Sequence, residues 1–238
     1  METEYIPPSV MTIFAHPDDQ EFTVAGTLAR WACAGSQITA VLLTSGDAGS
    51  NDPGCGPFCK EELAQLREAE QLSANAVLGI QETVFLRYPD GILQHTLELR
   101  KAVTRQIRRY RPEVVVCGDP TVRFFGTEYM NHPDHRVAAD VACDAVFPSA
   151  GTRLIFPELL EEGFEPHNVK YVYLSSTDQP NTWIDTADTL ALKVEALRKH
   201  ASQLRDWDPT DEMRKWASES GKAKGITAAE AFRVMALS

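Results

Sequence analysis

VMTIFA (residues 10–15) is an unbroken apolar run, and HPDD (residues 16–19) follows it at once. Apolar runs of this length are typical of strands in parallel sheets, which helices cover on both faces. In open α/β sheets, ligands bind beyond the carboxyl ends of the strands. The stretch therefore predicts a buried first strand that delivers a histidine and two aspartates to the functional edge of a sheet.

Strand-like and helix-like segments alternate along the rest of the chain, which is typical of βαβ units. The predicted strands lie at 10–15, 38–44, 83–91, 113–120 and 169–176, with a short one from 182. The predicted helices lie at 22–35, 60–79, 97–112 and 132–148, and another ends near 204. The tail from 205 is predicted helical, with strand or helix at its end. We expect an α/β fold: a Rossmann-like, doubly wound, mostly parallel sheet with helices on both faces, in a single domain over residues 1–238.

Composition limits the function classes. The chain has 238 residues, 43% of them hydrophobic, and a formal net charge of −11. An acidic excess argues against nucleic acid as a partner, because phosphate binding relies on clustered Lys and Arg. The chain shows no apolar stretch of membrane-spanning length and no signal-peptide pattern at its start, so we expect a cytoplasmic protein without a membrane partner. Five cysteines suit a reducing compartment, and Cys55 and Cys59 are interpreted as incidental thiols or a conditional disulfide.

A second histidine motif, NHPDH (residues 131–135), lies one loop after the fourth predicted strand. Three of the six histidines fall in the two motifs. A divalent metal explains the clustering, with His16, Asp19 and His135 as ligands. Two histidines and one carboxylate suit zinc, and they also suit iron(II), so the set leaves the metal open.

Each motif also has a structural explanation. His-Pro-Asp can form a turn followed by a helix N-cap, because Asp accepts backbone hydrogen bonds at a helix start. One motif alone would leave the two explanations balanced. The occurrence of both motifs at strand ends of one predicted sheet favours the metal site.

The remaining polar residues of the motifs then acquire roles. Asp18 is adjacent to a ligand and is predicted as the general base that activates water. His132, one helical turn before His135, is predicted to protonate a leaving group or to stabilise an oxyanion. Asp134 is predicted to orient His132, as carboxylates commonly orient imidazoles.

Other strand-end residues are candidates for substrate contacts. Ser45 and Asp47 lie in a long glycine-rich loop and could bind hydroxyl groups of a substrate or only satisfy a turn. Asp90 ends the third strand and could line the site or form a turn.

The segments AHPDD, LTSGDAG, REAEQLSANAVLGI and HPDHR resemble the LmbE-like, or PIG-L-like, zinc-dependent N-deacetylases. The resemblance runs over roughly residues 10–205 and includes KHASQ near its end. It implies hydrolysis of an acetamide on an N-acetylglucosamine-type sugar by attack of a zinc-bound water. It also implies one Zn²⁺ per chain, although Fe²⁺ or another divalent metal stays open. The ligands, base and histidine acid that it implies are the residues assigned above.

The resemblance adds three further candidates for substrate contact. Arg67 matches an arginine that reaches the substrate or anchors a loop in relatives, although Glu70 at i+3 also fits a surface ion pair. His200 matches the late histidine. The third candidate is Tyr129, which lies beside Met130, where some relatives have a tyrosine. The chain also departs from the family pattern at Gln20, which replaces a frequent glutamate.

Alternatives stay open beside a deacetylase with a small amino-sugar substrate. An amidase of thiol-sugar conjugates would use the same fold, metal and base. A non-catalytic metal- or sugar-binding protein would not need Asp18 and His132. A nucleotide-binding domain is disfavoured because the first strand is not followed by G-x-G-x-x-G. The sequence leaves a homo-oligomer open.

Overall fold

The computed structural model describes residues 5–54, 56 and 59–237, in which strands alternate with helices. The described strands are β1 (Ser9–Phe14), β2 (Gln37–Thr44), β3 (Glu82–Tyr88), β4 (Val114–Gly118), β5 (Phe124–Phe125), β6 (Tyr129–Met130), β7 (Tyr171–Ser175), β8 (Thr182–Asp185) and β9 (Ala229–Ala236). The main sheet has the order β3-β2-β1-β4-β7-β9-β8, and β5 pairs with β6 in a separate hairpin.

Helices fill most of the connections between the strands of the main sheet. The described helices are α1 (Asp19–Thr23), α2 (Ala25–Cys33), α3 (Cys59–Leu78), α4 (Leu97–Tyr110), α5 (Pro133–Asp144), α6 (Glu158–Glu161), α7 (Leu190–Leu197), α8 (Ala201–Leu204) and α9 (Thr210–Lys222). An irregular segment, Ala145–Ala150, continues α5. Among the described residues, no helix has both the length and the apolar character that crossing a membrane requires.

Strand β1 lies at the point where the strand order reverses. It pairs in parallel with β2 on one side and with β4 on the other, and Val10 is in register with both Ile38 and Val114. Ligands of doubly wound sheets bind in the crevice at such a switch point. The segment after β1 and the segment after β4 therefore meet at one edge of the sheet.

Both faces of β1 are buried, which explains its mostly apolar sequence. Met11 and Ile13 pack in one hydrophobic cluster with residues of α4 and α5. Val10 and Phe14 point to the opposite face and pack in a second cluster with residues of α2, α3 and α7. Side chains alternate across a strand, so a strand covered on both faces needs apolar residues at successive positions.

The predicted fold class is confirmed, with differences in detail. The predicted helix over 22–35 is two helices, because the chain leaves helical geometry at Val24 (φ −130°, ψ 3°). The predicted loop before NHPDH contains the β5–β6 hairpin. The C-terminal segment is a strand, β9, which runs antiparallel between β7 and β8. The single domain over residues 1–238 stays a prediction.

Strand β9 also anchors the helix that follows the first motif. The carboxylate of Glu230 accepts the backbone N–H groups of Gly26 (3.0 Å) and Thr27 (2.8 Å) at the start of α2. Lys193 donates to the same carboxylate at 2.7 Å, and both side chains are buried. These bonds satisfy N–H groups that a helix start leaves without intrahelical partners. They join the C-terminal strand to the first βαβ unit.

Candidate metal centre

The HPDD turn (residues 16–19) connects β1 to α1 and has an unusual backbone. Asp18 adopts a left-handed conformation (φ 97°, ψ −25°), which non-glycine residues rarely adopt. The backbone N–H of His16 donates to Asp19 Oδ2 at 2.9 Å and closes the turn. As a result, His16 and Asp19 share a side of the turn and face the start of α5.

Three potential ligand side chains converge between the turn and α5. His135 Nε2 lies 3.2 Å from His16 Nδ1 and 3.0 Å from Asp19 Oδ1. His16 Nδ1 lies 3.5 Å from Asp19 Oδ2. Ligands at the usual zinc distances of a tetrahedral site lie about 3.3 Å from one another, so the spacing fits a divalent cation. The structure brings together all three ligands that the sequence predicted.

The second nitrogen of each imidazole also has a partner. His16 Nε2 lies 2.9 Å from Asp90 Oδ1, and His135 Nδ1 lies 3.2 Å from Asn131 Oδ1. Carboxylate or carbonyl oxygens behind a histidine fix its orientation and its tautomer in metal sites. Each imidazole is therefore held with one nitrogen directed at the common centre.

The electrostatic environment favours a cation. Burial acts to lower the pKa of His16, but Asp19, Asp134 and Asp90 outweigh it and raise that pKa to about 12. Burial likewise acts to lower the pKa of His135, and Asp19 raises it above the usual value. Carboxylates that hold protons on one buried and one half-buried imidazole would also stabilise a metal ion in their place. The donor set and its charge both fit a divalent metal.

A second set of donor atoms overlaps the first. Atoms of His16, Asp90 and Asp134 lie within 4.8 Å of one another, as do nitrogens of His16, His132 and His135. However, Asp90 Oδ2 accepts the Ala48 N–H at 2.9 Å, and the Asp134 oxygens accept backbone N–H groups. Both Asp134 oxygens are thus occupied, and the other Asp90 oxygen faces His16 Nε2, whereas His135 faces Nδ1, so the centre between His16, Asp19 and His135 is the better ligand set.

Asp18 lies beside this centre without joining it. Its Oδ2 accepts a hydrogen bond from the Arg67 guanidinium at 3.1 Å. Burial raises the pKa of Asp18 to about 7. Arg67 opposes this effect without cancelling it, and Asp19 adds to it. A carboxylate that titrates near neutral pH is suited to accept and return a proton.

His132 is the N-cap of α5, and its role depends on which nitrogen carries the hydrogen. Its Nδ1 accepts the backbone N–H of Asp134 at 3.1 Å. Burial lowers the pKa of His132, and His16 lowers it further, which favours the neutral imidazole. A neutral ring whose Nδ1 accepts must carry its hydrogen on Nε2. His132 therefore presents an N–H donor beside the centre, with its ring centroid 5.1 Å from that of His16.

The expected role of Asp134 requires a correction. Its carboxylate does not orient His132: Oδ2 accepts the Gly91 N–H at 2.7 Å and Oδ1 accepts the Leu93 N–H at 3.2 Å. It also lies 3.4 Å from His16 Nε2. The carboxylate points across the sheet edge because the loop after β3 offers two N–H donors there.

Asp90 and Asp47 were predicted as substrate contacts, and the structure gives both of them protein partners. Asp90 is buried, and its bonds to His16 hold its pKa down at about 2 although burial acts to raise it. Asp47 accepts the backbone N–H of Asp90 at 3.1 Å and the Lys60 ammonium at 3.2 Å. The two aspartates thus support His16 from the loops after β2 and β3.

Two further candidates for substrate contact, Ser45 and Tyr129, lie in different surroundings. Ser45 donates to Glu68 at 2.5 Å, and it lines a cavity of about 390 Å³ together with Asp47 and Arg87. Tyr129, on strand β6, is 56% exposed and packs against the Phe125 ring. Whether these residues contact substrate stays a prediction. Cys55 lies outside the described residues, and so does any pairing with Cys59.

Arg67 is buried and is not the surface partner of Glu70. Its guanidinium donates to the carbonyl oxygens of Pro17 (2.6 Å) and Gly46 (3.1 Å) as well as to Asp18. A Cβ at Gly46 would lie 2.2 Å from Arg67 Nη1, so the glycine lets the guanidinium enter. Glu70 instead binds the backbone N–H and hydroxyl of Ser202 at 2.8 and 2.7 Å. Arg67 therefore joins the HPDD turn to the long loop after β2.

A buried polar network under the turn was not predicted from the sequence. Gln20 accepts from Thr12 at 2.8 Å and donates to Glu21 (2.8 Å) and Asn75 (2.7 Å). Gln71 also contacts the network, and His200, which has no exposed surface, lies 3.3 Å from Glu21. The available signal was the spacing of three polar residues on one helix face, Arg67, Gln71 and Asn75, at successive i+4 positions.

The arrangement defines a class: a Rossmann-like α/β protein with a two-histidine, one-carboxylate site at the switch point of its sheet. The family model described as GlcNAc-PI de-N-acetylase, PIG-L, matches residues 11–146, which contain every candidate ligand. The chain belongs to the PIG-L family.

Individual relatives match over most of their length. A diacetylchitobiose deacetylase of Thermococcus kodakarensis is 32% identical over 229 residues, which are 94% of this chain and 82% of that protein. A probable N-acetyl-alpha-D-glucosaminyl L-malate deacetylase 2 of Bacillus anthracis is 28% identical and covers 82% of this chain and 81% of its own. The structure of the N,N'-diacetylchitobiose deacetylase from Pyrococcus horikoshii, complexed with its inhibitor MPG, matches with a TM-score of 0.87 and 29% identity, over 97% of this chain and 84% of that one.

Proposed function

We propose that this protein is a metal-dependent N-deacetylase that hydrolyses the acetamide of an N-acetylglucosamine-type sugar. The observation that carries the proposal is the placement of Asp18: its carboxylate lies next to the convergent trio of His16, Asp19 and His135 but is bound to Arg67. A ligand set with an independent carboxylate beside it is the arrangement that metal-assisted hydrolysis needs. The relatives, which are named as deacetylases, support the same reaction.

His16 Nδ1, Asp19 and His135 Nε2 would hold one cation per chain. We propose Zn²⁺, because zinc takes such nitrogen and carboxylate ligands and leaves a position open in catalytic sites, while iron(II) uses a similar set. When bound, the cation would supply Lewis-acid polarisation of a water molecule and of the acetamide carbonyl.

Asp18 moves the proton in this scheme. Its carboxylate accepts a proton from the attacking water, whose oxygen forms a bond to the carbonyl carbon. The same proton then passes to the sugar nitrogen as the carbon–nitrogen bond breaks, and acetic acid and a free amine leave, which ionise to acetate and ammonium at neutral pH. The pKa of Asp18, raised to about 7 by burial, is suited to both transfers.

His132 stabilises charge in this scheme. The hydrogen bond from the Asp134 backbone to Nδ1 leaves Nε2–H as the donor, and that donor faces the oxygen on which negative charge develops. Of the two roles that the sequence left open, this hydrogen bond favours the oxyanion donor, because a protonated ring would direct a second N–H at the Asp134 N–H.

For the substrate, we propose a class of compounds and not a single one. A small amino sugar is the partner, and the two relatives are named for different substrates of this kind, diacetylchitobiose and N-acetyl-alpha-D-glucosaminyl L-malate. A cytoplasmic location and a homo-oligomer stay predictions. An amidase of thiol-sugar conjugates would use the same centre and differ in the ligand that it accepts.

Acetate release from a panel of N-acetylglucosamine derivatives tests the proposal. Wild type is expected to release acetate, and both a chelator and the Asp18→Ala substitution are expected to stop it. Metal analysis of the purified protein identifies the cation. Equal acetate release by chelated or Asp18→Ala protein would rule out the mechanism, and release of a different acyl acid from a thiol-sugar conjugate would support the amidase.

A further inference from the structure

The left-handed backbone of Asp18 raises the question of what holds it. A non-glycine residue in this conformation costs free energy and persists only when surrounding contacts enforce it. Arg67 binds the Asp18 carboxylate and the Pro17 carbonyl, but neither bond engages the peptide nitrogen of Asp18. That nitrogen donates to the side-chain oxygen of Gln71 at 3.1 Å.

Gln71 is placed to accept this bond. It lies one turn after Arg67 on α3 and has no exposed surface. Its Nε2 donates to Glu21 Oε1 at 2.8 Å and to Asn75 Oδ1 at 3.0 Å. Because these two partners are acceptors, they set the orientation of the amide and leave Oε1 directed at the Asp18 N–H.

The partners of Gln71 are themselves held from separate parts of the chain. Asn75 donates to Thr83 at the start of β3 at 2.8 Å, and Glu21 lies 3.3 Å from His200 at the start of α8. An asparagine at position 71 would be too short by one methylene to reach across, and a carboxylate would meet Glu21 with like charge. The site thus matches a glutamine side chain in length and in donor pattern.

We propose that Gln71 is a positioning residue for the reaction: its amide holds the Asp18 peptide so that the carboxylate stays beside the ligands without joining them. The inference rests on the proposed function, because it needs Asp18 as the base. Gln71 reaches neither the ligands nor the substrate in this scheme. Its effect on turnover runs entirely through the peptide of Asp18.

The test compares Gln71→Met with Thr12→Val in the purified, metal-loaded enzyme. Gln71→Met keeps the size of the side chain and removes the acceptor for Asp18. Thr12→Val is the matched control, because it removes another buried hydrogen bond of the same network, the one to Gln20, without touching Asp18. Bound metal, kcat and KM for acetate release are measured for each.

A supporting contact of a reacting group is expected to be worth about 10- to 100-fold, so kcat of Gln71→Met should fall by that factor with KM and bound metal unchanged. Thr12→Val should keep kcat within about twofold, since it leaves the reacting groups in place. A wild-type kcat in Gln71→Met, a loss confined to KM or metal, or an equal loss in Thr12→Val would overturn the inference.

Gln71→Glu decides the question if Gln71→Met does not fold, because a glutamate that shares a proton with Glu21 avoids the like-charge contact and keeps an acceptor for the Asp18 N–H. Its kcat should exceed that of Asp18→Asn, measured in parallel, by about 10-fold or more. An equal loss in the two variants would contradict the inference. Should Asp18→Asn itself keep wild-type turnover, the proposed function fails instead, so the two failures are distinguishable.

Discussion

Polar side chains lie on both sides of the HPDD turn, and the two sides differ in residue type and in how the polar groups are paired. On the α5 side, two imidazole nitrogens and a carboxylate point at one another within 3.0–3.5 Å. On the α3 side, the amides of Gln20, Gln71 and Asn75 each donate and accept within one network. Donor atoms that converge on a shared centre indicate a site for a bound ion. Side chains that hydrogen-bond one another instead indicate a structural role in holding the turn. Polar side chains thus form a candidate metal centre on one side of the turn and a supporting hydrogen-bond network on the other.

Asp90→Asn is expected to have the largest effect on metal affinity among the residues behind the ligands. It replaces the carboxylate that faces His16 Nε2 at 2.9 Å with a weaker acceptor, so affinity should fall by about 10- to 100-fold. Titration of the apo protein with zinc measures this. Excess metal should restore much of the activity, and unchanged affinity would show that Asp90 does not support His16.

Asn131→Ala makes the corresponding change behind His135 and is expected to weaken binding less. A neutral amide oxygen forms a weaker hydrogen bond than a carboxylate, so the loss should stay below about 10-fold. The same titration, run beside Asp90→Asn, ranks the two supports. A loss larger than that of Asp90→Asn would contradict the comparison.

Gln20→Met changes the α3 side and is expected to leave metal affinity unchanged. It removes the partners of Thr12, Glu21 and Asn75, so stability should fall by about 1–3 kcal/mol for each buried group left without a hydrogen bond. Chemical denaturation gives the free energy of unfolding. If Gln20→Met lost metal but kept the wild-type free energy of unfolding, Gln20 would support the metal ligands and the comparison would be wrong.

The fold and the convergence of His16, Asp19 and His135 were accessible from sequence because each depends on a local pattern. The apolar run 10–15 marks a strand buried on both faces, and a histidine motif after a strand marks the binding edge of the sheet. The predicted fold class and the family resemblance are confirmed. The catalytic and ligand roles stay predictions, although the structure brings His16, Asp19 and His135 together.

The partners of Asp134, Asp90 and Gln20 were not accessible, because each partner lies on a segment far along the chain. The Asp134 carboxylate binds N–H groups at positions 91 and 93, and Gln20 spans from β1 to α3. No local spacing encodes which loop will lie opposite. The hairpin before NHPDH and strand β9 were missed or left open for a related reason, since pairing with another strand decides their structure.

Two adjacent aspartates provide the most direct test of the central claim, which is that Asp19 binds the metal while Asp18 moves the proton. Asp18→Asn and Asp19→Asn are matched in size, charge and position. Metal content and acetate release, measured together, should show that Asp19→Asn loses the metal, whereas Asp18→Asn keeps it and loses turnover by about 10²- to 10⁴-fold. Metal loss in both variants, or turnover retained in Asp18→Asn, would contradict the account.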